Sequence, residues 1–172
     1  LGLLDLLPTP KARRRVAEII DETLAVEAPI HGERLARIVG RRCGMQTVRA
    51  ARAKQILDIV PAELREDTEL GLFIWRRRQA AENWTAFRAT PAEVKDRQVD
   101  HIAPQEILNA MLHVVESAFA VEPEELVKEV SKTLGFAKCG AQVKRRIEDV
   151  LTKARETGRL VSEGAMYRLP KH

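Results

Sequence analysis

Catalytic vocabulary is what this sequence lacks most. Its 172 residues hold no glycine-rich phosphate-binding loop, so the segment lacks the means to hydrolyse ATP alone. No His-Glu-x-x-His pair occurs, and His31, His101, His113 and His172 stand singly. Neither Ser117 nor Ser131 sits in a nucleophile elbow. The carboxylates Asp21, Glu22, Glu122, Glu124 and Glu125 fall at helix starts or on polar faces, where capping and the helix dipole account for them. The expectation is a non-catalytic chain, with no cofactor and no metal.

Cysteine is nearly absent too. Cys43 and Cys139 are far apart, with no second Cys or His at metal-ligand spacing, which fits free thiols in a reducing cytoplasm. No apolar run approaches the about 20 residues of a membrane span. The opening Leu1-Gly2-Leu3-Leu4-Asp5-Leu6-Leu7 is too short and lacks the basic flank of a signal peptide. With no initiator Met, residues 1–10 read as a leader belonging to an upstream region.

What is present is ordinary globular material: 45% hydrophobic residues and a net charge of +4 with both signs interspersed. A mild positive balance permits contact with nucleic acid without demanding it. Thr9-Pro10 is a helix start, followed by Val16, Ile19, Ile20 and Leu24 at helical spacing, with Arg13, Arg14 and Arg15 early on the helix. Pro29 ends that pattern and leaves a short extended piece. A second helix runs from about Glu33 to Cys43, with Gly44 as its stop. A third starts near Thr47 and ends before Pro61. Leu64-Arg65-Glu66, a polar turn at Asp67-Thr68, and Leu72-Phe73-Ile74-Trp75 then read as a hairpin.

The second half repeats this order. Helices open at Pro104 and Pro123, the second of these stops at Gly135, and a third carries Val143, Ile147, Val150 and Leu151. Glu163-Gly164 marks a hairpin. Leu35 and Leu126, Gly44 and Gly135, Ile30 and Val121, and Val39 and Val130 are all separated by 91 residues, a register that drifts by about one residue inside the third helix.

Helix, short strand, helix, helix, hairpin is the element order of a winged helix, in which the hairpin covers an apolar face that three short helices cannot bury alone. The expected fold is mainly α with small β wings: two tandem winged-helix units joined by a helical linker. The expected boundaries are 11–78 for the first unit, 79–103 for the linker and 104–172 for the second. Within the linker, Gln79 to Phe87 reads as a helix displaying Trp84 and Phe87.

The segments Glu27-Ala28-Pro29-Ile30-His31, Leu35-Ala36-Arg37-Ile38-Val39, Gly44-Met45 and Phe73-Ile74-Trp75 resemble a bacterial domain family of unknown function. That family lies near the C-terminal end of large DNA-helicase-related proteins. Residues Arg97 to Ile107, Leu134-Gly135-Phe136 and Gly158-Arg159-Leu160-Val161 continue the resemblance, which spans about Lys11 to Leu169. It implies a parent protein with a superfamily 1 helicase motor and often a nuclease-like domain, neither of them in this segment. Where the family usually has an Arg after Leu-Gly-Phe, this sequence has Lys138 and Cys139.

In a DNA-reading winged helix the start of the third helix meets the major groove. The candidate nucleic-acid-binding residues are therefore Arg41, Arg42, Gln46, Thr47, Arg49, Arg52 and Lys54 in the first unit. In the second they are Lys138, Gln142, Lys144, Arg145 and Arg146. Arg and Lys neutralise phosphates, and Gln can bond base edges. The expected partners are duplex DNA and the rest of the parent helicase. The alternative is a protein-docking module using Trp75, Trp84 and Phe87.

Overall fold

In the computed structural model, Thr9 begins the first helix as its sequence suggests. Its side chain accepts a hydrogen bond from the Ala12 amide at 3.4 Å, and Pro10 supplies a first-turn residue with no amide to satisfy. The structure describes residues 2–77, 83–89 and 98–170. It divides into two units, Leu1–Asn83 and Trp84–His172.

The first unit consists of α1 (Pro10–Glu27), β1 (Ile30–His31), α2 (Gly32–Arg42), α3 (Ala50–Leu57), β2 (Arg65–Thr68) and β3 (Gly71–Ile74). The strands form an antiparallel sheet in the order β1-β3-β2, with Ile30 opposite Ile74 and Glu66 opposite Phe73. Val16, Ile20, Leu35, Val39, Ile56 and Ile74 meet in one core. At roughly 1.5–3 kcal/mol for each fully buried aliphatic side chain, this burial is the main force holding the helices together. The residues expected as a leader also take part. Leu3–Leu6 form a 3-10 helix, and Leu4 is buried in the same core.

The second unit consists of α4 (Pro104–Ala118), α5 (Pro123–Thr133), α6 (Ala141–Glu156), β4 (Val161–Glu163) and β5 (Met166–Arg168). Val121 pairs with Tyr167 through two backbone hydrogen bonds of 3.0 and 2.9 Å, the counterpart of the β1–β3 pairing. Ile107, Met111, Leu126, Val130 and Ile147 are fully buried.

The repeat is sharper in backbone geometry than in sequence. Ala118 follows Glu27 by 91 residues, and the same offset relates both ends of α5 to those of α2 and the start of α6 to that of α3. Gly44 and Gly135 hold φ of 88° and 87°. Met45 N donates to Gly40 O and Phe136 N to Ser131 O, both at 3.0 Å, so the two helices end in the same left-handed glycine cap. The third helices start in register and differ in length, eight residues against sixteen.

Three local expectations change. First, α3 starts at Ala50 and not near Thr47, because Arg49 is extended at φ −80° and ψ 160°. Second, the first hairpin turns at Glu69-Leu70 and not at Asp67-Thr68. The Thr68 hydroxyl accepts from Leu70 N at 3.1 Å and donates to Gly71 O at 2.8 Å, closing the turn two residues later. The second hairpin likewise turns at Gly164-Ala165, with Gly164 at φ 62°. Third, residues 84–89 are not helical, whereas residues 79–82 and 90–97 of the expected linker lie outside the described residues. The 84–89 stretch lies along α4. Asn109 Nδ2 donates to the carbonyls of Trp84 (2.8 Å) and Ala86 (3.0 Å), and Arg88 grips the fully buried Glu106 at 2.9 and 3.0 Å.

The described chain is thus α+β: six α-helices with small antiparallel sheets of three and two strands. None of these helices is long and apolar enough to cross a membrane.

Candidate nucleic-acid interface

In each unit the segment between the second and third helices is held by the glycine cap just described. In the first unit a second contact fixes it. Gly40 is buried, and a Cβ built there would lie 2.2 Å from Val48 Cγ2, so the turn passes closer to α2 than any side-chain-bearing residue would permit. Gln46, Thr47 and Arg49 are carried outward on this turn and are exposed. Arg41 is exposed at the end of α2. Arg49 makes no ion pair among the described residues.

Two other first-unit candidates are occupied internally. Arg42 ion-pairs with Glu22 and reaches the Ile19 carbonyl at 3.4 Å, tying α2 to α1. The hydrogen bond from Arg42, and then its charge, hold the Glu22 carboxyl below its usual range. Arg52 donates to Leu4 O at 2.6 Å and Asp5 Oδ1 at 2.7 Å, pinning the first 3-10 helix onto α3. Lys54 is exposed and pairs with Asp58 at 3.1 Å. Apart from Lys54, the outer face of α3 offers Ala50, Ala51 and Gln55. The small Ala50 and Ala51 side chains suit close approach to a backbone.

In the second unit, Lys138 and Arg145 are exposed, and neither has an ion-pair partner among the described residues. Lys144 sits 3.8 Å from Glu148, a solvent-exposed pair one turn apart. Gln142 is exposed and donates to the Asp100 carboxylate. Arg146 is buried, 4% exposed, and donates to the carbonyls of Ile102 (3.3 Å) and Asp100 (3.4 Å). Burial pushes its pKa down, as expected for a cation withdrawn from water. Arg146 lies three residues after Val143 and four before Val150, on the inward stripe of α6, and serves the core rather than the surface.

The hairpins add little positive charge. Arg65 turns back to donate to Val60 O at 3.0 and 2.8 Å, while Asp67 and Glu69 at the first hairpin's end are exposed. In the second, Arg168 pairs with Glu163 at 2.9 Å. Arg76 and Arg77, just past β3, are exposed. The aromatics expected as docking residues are withdrawn. Trp75 is 2% exposed with its indole N–H on Glu66 at 2.6 Å, and half-buried Phe87 packs on His113 at 5.5 Å between centroids. Trp84 is half-buried as well.

The outward set is therefore Arg41, Gln46, Thr47, Arg49 and Lys54 in one unit, and Lys138, Gln142, Lys144 and Arg145 in the other. Gly40, whose lack of a side chain shapes the first turn, is the position that the residue pattern alone does not single out. No protein-family model, curated protein or solved structure matches the chain.

Proposed function

We propose that the chain is a pair of winged-helix units that bind nucleic acid without catalysis, contacting the phosphate backbone of duplex DNA. The observation that carries this reading is the same capped turn in both units, each presenting cations with no ion-pair partner among the described residues: Arg49 in one, Lys138 and Arg145 in the other. A helix start combined with exposed Arg and Lys suits phosphate oxygens. Ala50 and Ala51 on the outer face of α3 favour close contact with the sugar-phosphate backbone. The resemblance to helicase-associated domains suggests an accessory role, holding a larger DNA-processing enzyme on its substrate.

Backbone contact of this kind releases counterions and weakens steeply with salt. Fluorescence anisotropy with a short labelled duplex at about 50 and about 200 mM salt measures it. The expected result is binding at the lower salt that falls at least tenfold at the higher and is equal for unrelated sequences. Replacing Arg49, Lys138 or Arg145 with Ala should lower the salt slope by about 1 each. No binding at the lower salt, or an unchanged slope in all three variants, rejects the proposal.

A further inference from the structure

Phe119 is the most solvent-exposed large apolar residue among those described, at 86%. It is also the only one of them, apart from glycine, with positive φ. At φ 63° and ψ −40°, with Ala120 N donating to Ala118 O at 2.8 Å, it forms a tight three-residue turn that is rare and strained for a bulky side chain. The repeat does not require this geometry. Ala28, at the equivalent place after α1, is extended at φ −71° and ψ 143°. An exposed aromatic ring in a strained turn is unfavourable on two counts, and the core gains nothing from either.

The surroundings of Phe119 are acidic. Glu116, Glu122, Glu124 and Glu125 are all exposed within six residues of it, and the nearest Lys in sequence, Lys128, lies 3.8 Å from Glu125. This negative field disfavours nucleic acid and calls for an apolar recess with a cationic rim. Such a recess exists on the chain itself. A groove of about 420 Å³ runs between the 3-10 helix Leu3–Leu6 and the start of α1. Leu3 and the half-exposed Leu6 supply its apolar lining; Lys11, Arg14 and Arg15 supply the positive charge, with Glu18 as the acid among its lining residues. Arg14 and Arg15 also pair with Glu18 along the helix, at 3.6 and 2.9 Å, and Arg15 lies 3.9 Å from Glu22; three cations against one acid still leave the groove's lining positive.

We infer that this groove receives Phe119 from a second copy of the chain. Anchor and groove are different surfaces, so the contact is head-to-tail and leaves a free anchor and a free groove on every pair. One aromatic anchor with a charged rim gives a small, weak interface.

Sedimentation velocity of the full chain, from about 10 μM to about 1 mM, tests this over the affinity range expected of a weak contact. The weight-average mass should rise with concentration, and added salt should suppress the rise. Phe119→Gly should abolish the rise while leaving Tm unchanged or higher, because glycine accepts positive φ without steric cost. Arg14→Glu and Glu124→Arg should each weaken association about tenfold by opposing like charges. An equimolar mixture of those two variants should restore it, since every contact between the two variants pairs opposite charges. A wild-type chain that stays monomeric at the highest concentration overturns the inference. So does a Phe119→Gly chain that associates like wild type, or a mixture no better than its components.

Discussion

Val48 Cγ2 occupies the space that a Cβ on Gly40 would need, 2.2 Å from where that atom would stand. This contact ties the exposed turn to the buried side of α2. Gly40→Ala should therefore destabilise the protein by about 1–3 kcal/mol through overpacking. Val48→Ala removes the clashing methyl and leaves its Cβ at 3.5 Å, ordinary van der Waals contact. The double variant should recover most of the loss, with a coupling of at least about 1 kcal/mol in urea denaturation. Additive losses would show that the close approach is not what makes glycine necessary there.

Arg145 and Arg146 are sequence neighbours with opposite fates. Arg145 is exposed and Arg146 is 4% exposed. Arg146→Ala strips hydrogen bonds from the Ile102 and Asp100 carbonyls and should cost about 2–3 kcal/mol of stability. Arg145→Ala should change stability by no more than about 0.5 kcal/mol, as surface substitutions usually do, and act on DNA affinity instead. Thermal melts and duplex titrations on both variants separate the roles. A DNA-binding defect of equal size in a still-folded Arg146→Ala chain would move Arg146 back to the surface.

That pair also shows what the sequence makes legible. The helices around Leu35, Val39, Leu126 and Val130 declare themselves by apolar spacing and a terminal glycine, since local sequence sets both signals. Arg146 occupies an apolar-stripe position of α6, but an arginine there looks like surface charge until Asp100 and Ile102 are seen opposite it. Arg52 misleads for a related reason: its partners Leu4 and Asp5 lie 48 and 47 residues away, in a segment that reads as a leader. The first hairpin's turn moves to Glu69-Leu70 because the Thr68 side chain satisfies turn backbone, a choice that composition does not reveal. Whether a basic side chain faces solvent or partner is decided by long-range contacts, so the fates of Arg42, Arg52 and Arg146 are legible only in three dimensions.

Arg42, read from the sequence as a DNA contact, instead bonds Glu22, and this gives the last prediction its sign. The hydrogen bond from Arg42 and its positive charge depress the folded pKa of Glu22. A carboxylate with a depressed folded pKa adds stability above its unfolded pKa and loses it as pH falls through the folded value. Glu22→Gln should therefore be less stable than wild type near about pH 7, and the gap should close below about pH 4, where an ordinary glutamate protonates. Both side chains are partly exposed, at 41% and 51%, so the gap should be small and should shrink in high salt. Urea denaturation at three pH values, with and without salt, measures it. A gap that does not change with pH would remove the Glu22–Arg42 pair as its source. Arg42→Ala should also lower stability while leaving the salt slope of DNA binding unchanged, because a guanidinium held between Glu22 and the Ile19 carbonyl contributes no counterion release.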